Sequence, residues 1–348
     1  MAGEKKLTIR DIARMAGVSR STVSLALNNS PLVNAQTKAR ILRLIEEVSY
    51  RPNAMARGLV SKHCGVISVV VPPVSHVFSD SYFSESLSGI LDAASEVDYR
   101  VAIETANEEF ASGRRPERLF EERRTDGLLA VGALISDRYL ERLFQAGRPV
   151  VLVNSELGET PATIADNEEG TVAVVHHLVS LGHRAIGYIK GPDITTTGLQ
   201  RDKGFRNGLR LAGLPYREDL MACGDFSEKS GYEAMAQILE RGPAPSAVFA
   251  ANDMMAIGAA RRLKEAGLVV GRDVALVGGD DAPLARYVEP PLTTLRQSMY
   301  DLGAQAARLL LEWVGNKRPP ARRTVLHTEL VIRASCGAAR GARAVPGL

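Results

Sequence analysis

Cysteine is scarce: Cys64, Cys223 and Cys336 are the only three in 348 residues, and they lie far apart with no C-x-x-C. That excludes a disulfide framework and a zinc module, and it fits a reducing compartment. Long hydrophobic runs are missing as well, since nothing approaches the ~18 uninterrupted apolar residues of a membrane helix. The opening "MAGEKKLTIRDIA" carries charges where a secretion signal would carry its apolar stretch. The expectation is a protein that stays in the cytoplasm, with no membrane partner.

The motifs of catalysis are absent too. There is no G-x-S-x-G, H-E-x-x-H, G-x-G-x-x-G or P-loop pattern. His176 and His177 are neighbours on an expected helix, so their side chains diverge by about 100° and suit neither a shared metal nor a proton relay. No base is evident beside Cys223 to activate its thiol. These absences predict a non-enzyme without metal or cofactor.

What the chain does have is an uneven charge. Residues 1–63 hold 11 Lys and Arg against 4 Asp and Glu, a formal +7, whereas the whole chain carries +3, so the remainder sums to −4. A basic head on a mildly acidic body suggests that the head meets a polyanion and the body does something else.

The head reads as three short helices. Thr8 can cap the first with Asp11 at the capping-box distance, which places Ile9, Ile12, Ala13 and Ala16 on one face before Gly17 ends it. Ser19 caps the second, with Val18 and Val23 at staple spacing and Leu27 extending the buried stripe. Asn34 announces the third, whose apolar face is Ile41, Leu44, Ile45 and Val48. A tight turn between the first two makes a helix-turn-helix unit. On its second helix Arg20 and Ser21 lie in the first turn, with Ser24 and Leu25 following on the same face. Arginine pairs bidentately with guanine in the major groove, and serine reaches base edges or phosphates.

From Val66 onward, apolar runs alternate with helical patterns at βα spacing. "VISVVV", "RVAIET", "GLLAV" and "PVVLVN" read as buried strands with helices near 86–97 and 137–146. "AIGYI", "AVFAA" and "VALVGG" restart the series, with helices near 168–181, 198–212, 229–241 and 253–266. A last helix is expected over 301–314. The fold class is therefore α/β: a small all-α head, a short hinge helix after Pro52, and a two-lobed body of parallel sheets with a ligand cleft at the strands' carboxyl ends.

The stretches "LTIRDIARMAGVSRSTVSLALNN" and "VNAQTKARILRLIEEVSYRPNAMARGL" resemble the DNA-binding head and hinge of the lactose/galactose repressor (LacI/GalR) family of bacterial transcription regulators. "TDGLLAV", "DNEEGTVAVVHHLVSLGHRAIGYIKGP", "GDFSEKSGYEAM", "PSAVFAANDMMAIGAARRLKEAGLVVGRDVALVG" and "PPLTTLRQ" continue it, in the family's order, from about Leu7 to Arg333. The resemblance divides the chain into a helix-turn-helix domain at 1–50, a hinge helix at 51–63, an effector-binding and dimerisation domain at 64–335, and a disordered tail at 336–348. Within the body, lobe one takes about 64–163 and 293–324 and lobe two about 164–292 and 325–335.

It implies a homodimer that binds a near-palindromic operator in double-stranded DNA, most often as a repressor. The implied DNA contacts are Thr8, Ser19, Arg20, Ser21, Thr22, Ser24, Leu25 and Asn28 in the head and Asn53, Arg57 and Leu59 in the hinge. Arg20 and Ser21 match the base-reading positions, and Leu59 matches a minor-groove wedge that kinks the duplex. Two positions depart from the family's habit: Val60 stands where many relatives place a basic residue, and Leu25 where they often carry arginine or histidine. Leucine cannot donate to guanine, so the operator should differ there.

The implied effector contacts are Tyr82, Phe83, Asn154, Thr195, Thr197, Arg201, Phe226, Asn252 and Asp280. An arginine, an amide and a carboxylate converging on hydroxyl pairs, with an aromatic face over the C–H side, suit a sugar. Asn252 keeps the pattern of sugar-responsive members where purine-responsive ones carry glycine, and Thr195 replaces an arginine used for the purine. Gly279 stands in "GGDD" where the family commonly has tyrosine, which leaves the pocket wall wider or rearranged. Among sugar-responsive relatives induction is commoner than corepression, and both signs stay open. With no terminal leucine heptad, tetramers are not expected. The alternative is a periplasmic-type sugar-binding protein, which would leave the basic head without a role.

Overall fold

A computed structural model describes residues 7–27, 30–48, 50, 63–73 and 77–337 of the chain. It falls into two compact units, Met1–Cys64 and Gly65–Leu348. The hinge expected over 51–63, and with it Asn53, Arg57, Leu59 and Val60, lies almost entirely outside the described residues, as do Asn28 and the tail beyond 337.

The first unit contains α1 (Ile9–Met15), α2 (Arg20–Leu27) and α3 (Ala35–Glu47). Each begins at a polar cap. Asp11 Oδ2 accepts from the Thr8 amide at 3.0 Å and its hydroxyl at 2.7 Å, Ser19 Oγ accepts from Thr22 N at 3.1 Å, and Asn34 Oδ1 accepts from Thr37 N at 2.8 Å. Gly17, at φ +63°, turns the chain between α1 and α2 in the left-handed region that other residues avoid. Ile12, Ala13, Ala16, Val23, Ala26, Val33 and Ile41 close over one another as a small core.

The second unit is built on two six-stranded sheets. The first has the order β11-β5-β4-β3-β1-β2, with β1 (Val66–Val71), β2 (Arg100–Thr105), β3 (Gly127–Val131), β4 (Val150–Val153), β5 (Ala162–Ala165) and β11 (Arg323–Leu326) all parallel. Helices α4 (Ser81–Ser95), α5 (Glu108–Ser112), α6 (Arg115–Glu121), α7 (Arg138–Gln145) and α12 (Met299–Asn316) accompany it. Strands β3 and β4 are buried along their whole length, which is why they read as unbroken apolar runs, whereas edge strand β2 alternates.

The second sheet has the order β12-β10-β9-β8-β6-β7, from β6 (Ile186–Lys190), β7 (Met221–Cys223), β8 (Ala247–Ala250), β9 (Ala275–Asp280), β10 (Thr293–Arg296) and β12 (Glu329–Val331). Its helices are α8 (Asn167–Ser180), α9 (Thr196–Leu211), α10 (Glu228–Glu240) and α11 (Asp253–Glu265). Tyr188 lies stacked between Phe205 and Phe249 at its centre, with centroid distances of 4.4 and 5.3 Å.

Four sequence expectations are corrected. Thr293–Arg296, assigned to lobe one, pairs with β9 in the second sheet, so the chain returns to lobe one only after Arg296; the "TTLR" run was hidden by its short length and its two threonines. Similarly, Ile164 and Ala165 complete β5 in the first sheet rather than opening lobe two. The second sheet is not wholly parallel, because β12 runs antiparallel to β10. Cys336, placed in the tail, is buried in the second lobe's core, where the Ala334–Cys336 turn packs.

The helix expected over 86–97 starts earlier, at Ser81, because Asp80 Oδ1 accepts from Tyr82 N at 2.8 Å and caps it. Tyr82 and Phe83 therefore stand on a helix's first turn. The chain passes between the lobes three times, at β5–α8, β10–α12 and β11–β12.

Candidate functional site

In the first unit, the outward positions of α2 divide into two groups. Ser19 and Thr22 are committed to each other, their hydroxyls 2.9 Å apart, and Thr8 is committed to Asp11. Arg20 and Ser21 are exposed at the amino end of the helix, where a guanidinium and a hydroxyl are free to reach out. Ser24 is half-buried. Leu25 is also half-buried and packs on the head's core, so it is less outward than its helical spacing implies.

In the second unit, the effector candidates converge from both lobes on one hydrogen-bonded chain. Arg201, on the second turn of α9, is 1% exposed, and its neighbours use three of its five N–H groups. Nε donates to Asn167 Oδ1 at 3.2 Å, Nη2 to Asp280 Oδ1 at 3.1 Å, and Nη1 to the Ala251 carbonyl. Gly279 makes the last contact possible. A Cβ there would sit 2.9 Å from the Ala251 oxygen and 3.4 Å from Arg201 Nη1. The room left by the missing ring is thus taken up by the guanidinium rather than left as a wider wall.

The same Asp280 Oδ1 accepts from Gln297 Nε2 at 2.6 Å, and Gln297 Oε1 accepts from Asn154 Nδ2 at 3.0 Å. Asn154 follows β4 of lobe one, and its carbonyl accepts from Thr197 Oγ1 of lobe two at 3.3 Å. Arg201, Asp280, Gln297 and Asn154 therefore form a continuous polar path between the lobes. Gln297, in the segment that crosses between them, was not singled out from sequence although it ends the "PPLTTLRQ" motif. Asn167, which orients Arg201, was missed in the same way at the head of "NEEG".

Not every candidate has spare capacity for a ligand. Thr195 caps α9, accepting from Gly198 N at 3.1 Å and donating to the Pro192 carbonyl at 2.9 Å. Asn252 caps α11: its Oδ1 accepts from Met255 N and its Nδ2 donates to the Phe226 carbonyl, both at 2.9 Å. One Asn252 N–H remains. Phe226, whose backbone that bond holds at φ +73°, lays its ring over Gly191, where a Cβ would come within 2.7 Å. Tyr82 and Phe83 meet edge to face at 5.1 Å on the opposite side.

Backbone strain gathers here. Of the seven non-glycine residues with positive φ among those described, Asn154, Phe226, Asp280 and Asp281 lie at this site. Left-handed backbone at a non-glycine costs of order 1–3 kcal/mol and persists where surrounding contacts fix it. The hydrogen bonds above are those contacts.

The electrostatics follow burial. Burial pushes the Asp280 carboxyl up, against the pull of Arg201 and Gln297. Burial likewise raises Asp253, helped by the nearby Asp280 charge, to about 8. Asp253 receives Thr294 Oγ1 at 2.5 Å and Ala282 N at 2.7 Å, and so ties α11 to the loop that carries Asp280. Burial alone would raise Asp281 too, but hydrogen bonds from Arg333 and Arg296 outweigh it and hold that carboxyl below the usual range. Asp280 Oδ2 has no hydrogen bond among the described residues, and its side chain is 16% exposed. It is the acceptor left open.

On the side away from these groups the lobes also touch. Ile135 N donates to the Ile194 carbonyl at 3.0 Å, Leu134 bridges Thr195, and Gln200 Nε2 donates to Glu156 Oε2 at 2.6 Å. Away from the cleft, His177 Nε2 lies 3.3 Å from Cys336 Sγ. The Cys223 thiol is raised, chiefly by burial, which keeps it protonated and unreactive at neutral pH. No cluster of three or more metal-ligating side chains occurs among the described residues, and no helix there is long and apolar enough to cross a membrane.

Comparison with known proteins gives two family matches. Residues 8–53 match the bacterial regulatory proteins of the lacI family, and residues 175–336 match a periplasmic binding protein-like domain. The chain is 34% identical over 343 residues to the HTH-type transcriptional regulator CelR of Thermobifida fusca, covering 96% of this chain and 100% of that protein. Among solved structures, a CelR–cellobiose complex superposes with a TM-score of 0.74 at 32% identity, covering 94% of this chain and 99% of the other. A lac repressor dimer bound to operator and the anti-inducer ONPF superposes with a TM-score of 0.82 at 28% identity, covering 96% and 100%.

Proposed function

This chain belongs to the lacI family of bacterial transcription regulators, and we propose that it binds a near-palindromic operator as a homodimer and changes its hold when a small sugar occupies the cleft between its lobes. The observation that carries the effector half is the path Arg201–Asp280–Gln297–Asn154, which joins the two lobes through groups able to bind hydroxyls. A ligand at Asp280 bears directly on a bond between the lobes, and a ligand acts only through such a difference between arrangements. The CelR complex with cellobiose, in a relative of matching length, supports a sugar. So does Asn252, whose amide can still donate one N–H.

In the head, Arg20 and Ser21 choose the bases, while Thr8, Ser19, Thr22 and Ser24 set the frame that points them. Leu25 contributes an apolar edge, suited to a thymine methyl. Asn28, Asn53, Arg57 and Leu59 complete the DNA contacts, with Leu59 as the wedge. The protein works in the cytoplasm, where its DNA is, and performs no catalysis.

A gel shift on the DNA upstream of its own gene tests the head. Arg20→Ala should cost about 1–3 kcal/mol, roughly tenfold to a hundredfold in Kd, and relax selectivity at one operator position. Loss of affinity that is uniform over all operator variants would assign Arg20 to phosphate instead.

A further inference from the structure

Beside the Arg201 group lies a cavity of about 300 Å³ that shares its Tyr82, Asp280 and Gln297 walls. It opens between the first turn of α4, the turn Pro283–Arg286 after β9, and the start of α12. Neither the polar path between the lobes nor the Phe226 stack needs this space.

The outer wall is aromatic. Tyr287, which ends the Pro283–Arg286 turn, is 83% exposed and has no ring contact or hydrogen bond from its phenol among the described residues. Core packing therefore does not account for it. Tyr300 stands across the cavity, its phenol donating to Asp92 Oδ2 at 2.8 Å, and Tyr82 forms the inner boundary. Flat, amphipathic rings around a wet space suit the C–H face of a pyranose, while open acceptors such as Asp280 Oδ2 suit its hydroxyls.

Charge narrows the occupant. The cavity's two guanidiniums are already engaged: Arg296 Nε donates to Asp281 Oδ2 at 2.8 Å and its Nη1 to Glu329 at 2.8 Å, and Arg286 lies 3.6 Å from Asp281. Three carboxylates, Glu85, Asp280 and Asp281, line the same wall. A lining with more carboxylates than cations repels a phosphate or sulfate group. The volume is at the small end for a ligand pocket, which is room for about one further ring.

We infer that this cavity is a second sugar subsite, so that the effector is a neutral disaccharide with one ring at Arg201 and Asp280 and the next between Tyr82 and Tyr287. The inference rests on the reading of the Arg201 group as a sugar site.

Isothermal titration of the full chain without DNA tests it, with cellobiose, maltose, lactose and trehalose as probes beside glucose, galactose and glucose 6-phosphate. At least one disaccharide should bind about tenfold or more tightly than either of its component sugars, the worth of about 1.4 kcal/mol. Tyr287→Ala should lower that affinity about fivefold to tenfold and leave monosaccharide binding unchanged, consistent with the ~0.5–1.5 kcal/mol of an aromatic contact. Because Tyr287 is exposed, its removal leaves the fold intact. Arg201→Ala should remove both kinds of binding. Monosaccharides binding as well as disaccharides, equal losses for both in Tyr287→Ala, or a preference for glucose 6-phosphate would overturn the second subsite alone. Binding of no probe would overturn it together with the sugar reading.

Discussion

Asp253 is the residue whose chemistry departs furthest from its type. Packed beneath the effector loop, it faces Thr294 and the Ala282 amide as partners and Asp280 and Asp281 as like charges, and its carboxyl is pushed up to about 8 by burial first and Asp280 second. An unfolded aspartate titrates near ~3.9. Between these values the folded chain holds a proton that the unfolded chain has lost, so this group's contribution is complete below the unfolded value and falls as pH rises toward about 8. His183, depressed by burial and by the charge of His177, works in the opposite direction near neutrality. The contribution of Asp253 is therefore the difference between wild type and Asp253→Asn, which mimics the neutral acid. Thermal melts from pH 5 to 8 should show wild type losing stability relative to the variant as pH rises. Parallel curves would mean that Asp253 is ionised throughout.

Elements in this molecule are positioned by close approaches as much as by apolar faces. Helices α10 and α11 touch backbone to backbone: a Cβ on Gly258 would lie 1.9 Å from the Glu228 carbonyl oxygen, and one on Gly231 would lie 2.2 Å from that of Met255. Since α11 begins at Asn252 and Asp253, this packing sets two residues of the effector site. Gly258→Ala must separate the helices and should cost about 2 kcal/mol or more, seen as a lower urea midpoint with unchanged slope. A cost under about 0.5 kcal/mol would show that the contact yields easily.

Such approaches also mark where the sequence stops being legible. The caps Thr8, Ser19 and Asn34 and the buried runs of β1, β3 and β4 could be read directly, because each follows from local chemistry or periodicity. Strands β5, β7, β10, β11 and β12 could not: each is three or four residues long, and pairing with distant strands rather than composition makes them strands. Among site residues, Arg201 and Asp280 were visible through the family resemblance. Their partners Gln297 and Asn167 lie 17 residues from Asp280 and 34 from Arg201, and only the fold brings them together.

At the scale of the whole molecule, a basic head and a mildly acidic two-lobed body are joined by the segment at 51–63. The division of charge predicts that operator affinity falls steeply with salt, because each phosphate neutralised releases counterions. Coupling between body and head is a separate property, and it is the one on which regulation depends. Its magnitude is the ratio of operator Kd with and without effector, with 1–3 kcal/mol, or about 5- to 150-fold, typical of such linkage. By reciprocity, operator must change effector affinity by the same factor. The deciding measurement is operator Kd by fluorescence anisotropy at fixed salt, with and without a saturating sugar identified by titration, on wild type and on Gln297→Ala. Wild type should shift by at least fivefold in one direction, and the variant, with the Asp280–Gln297–Asn154 path cut, should shift much less. A sugar that binds the body yet leaves operator affinity unchanged would contradict regulation through this cleft.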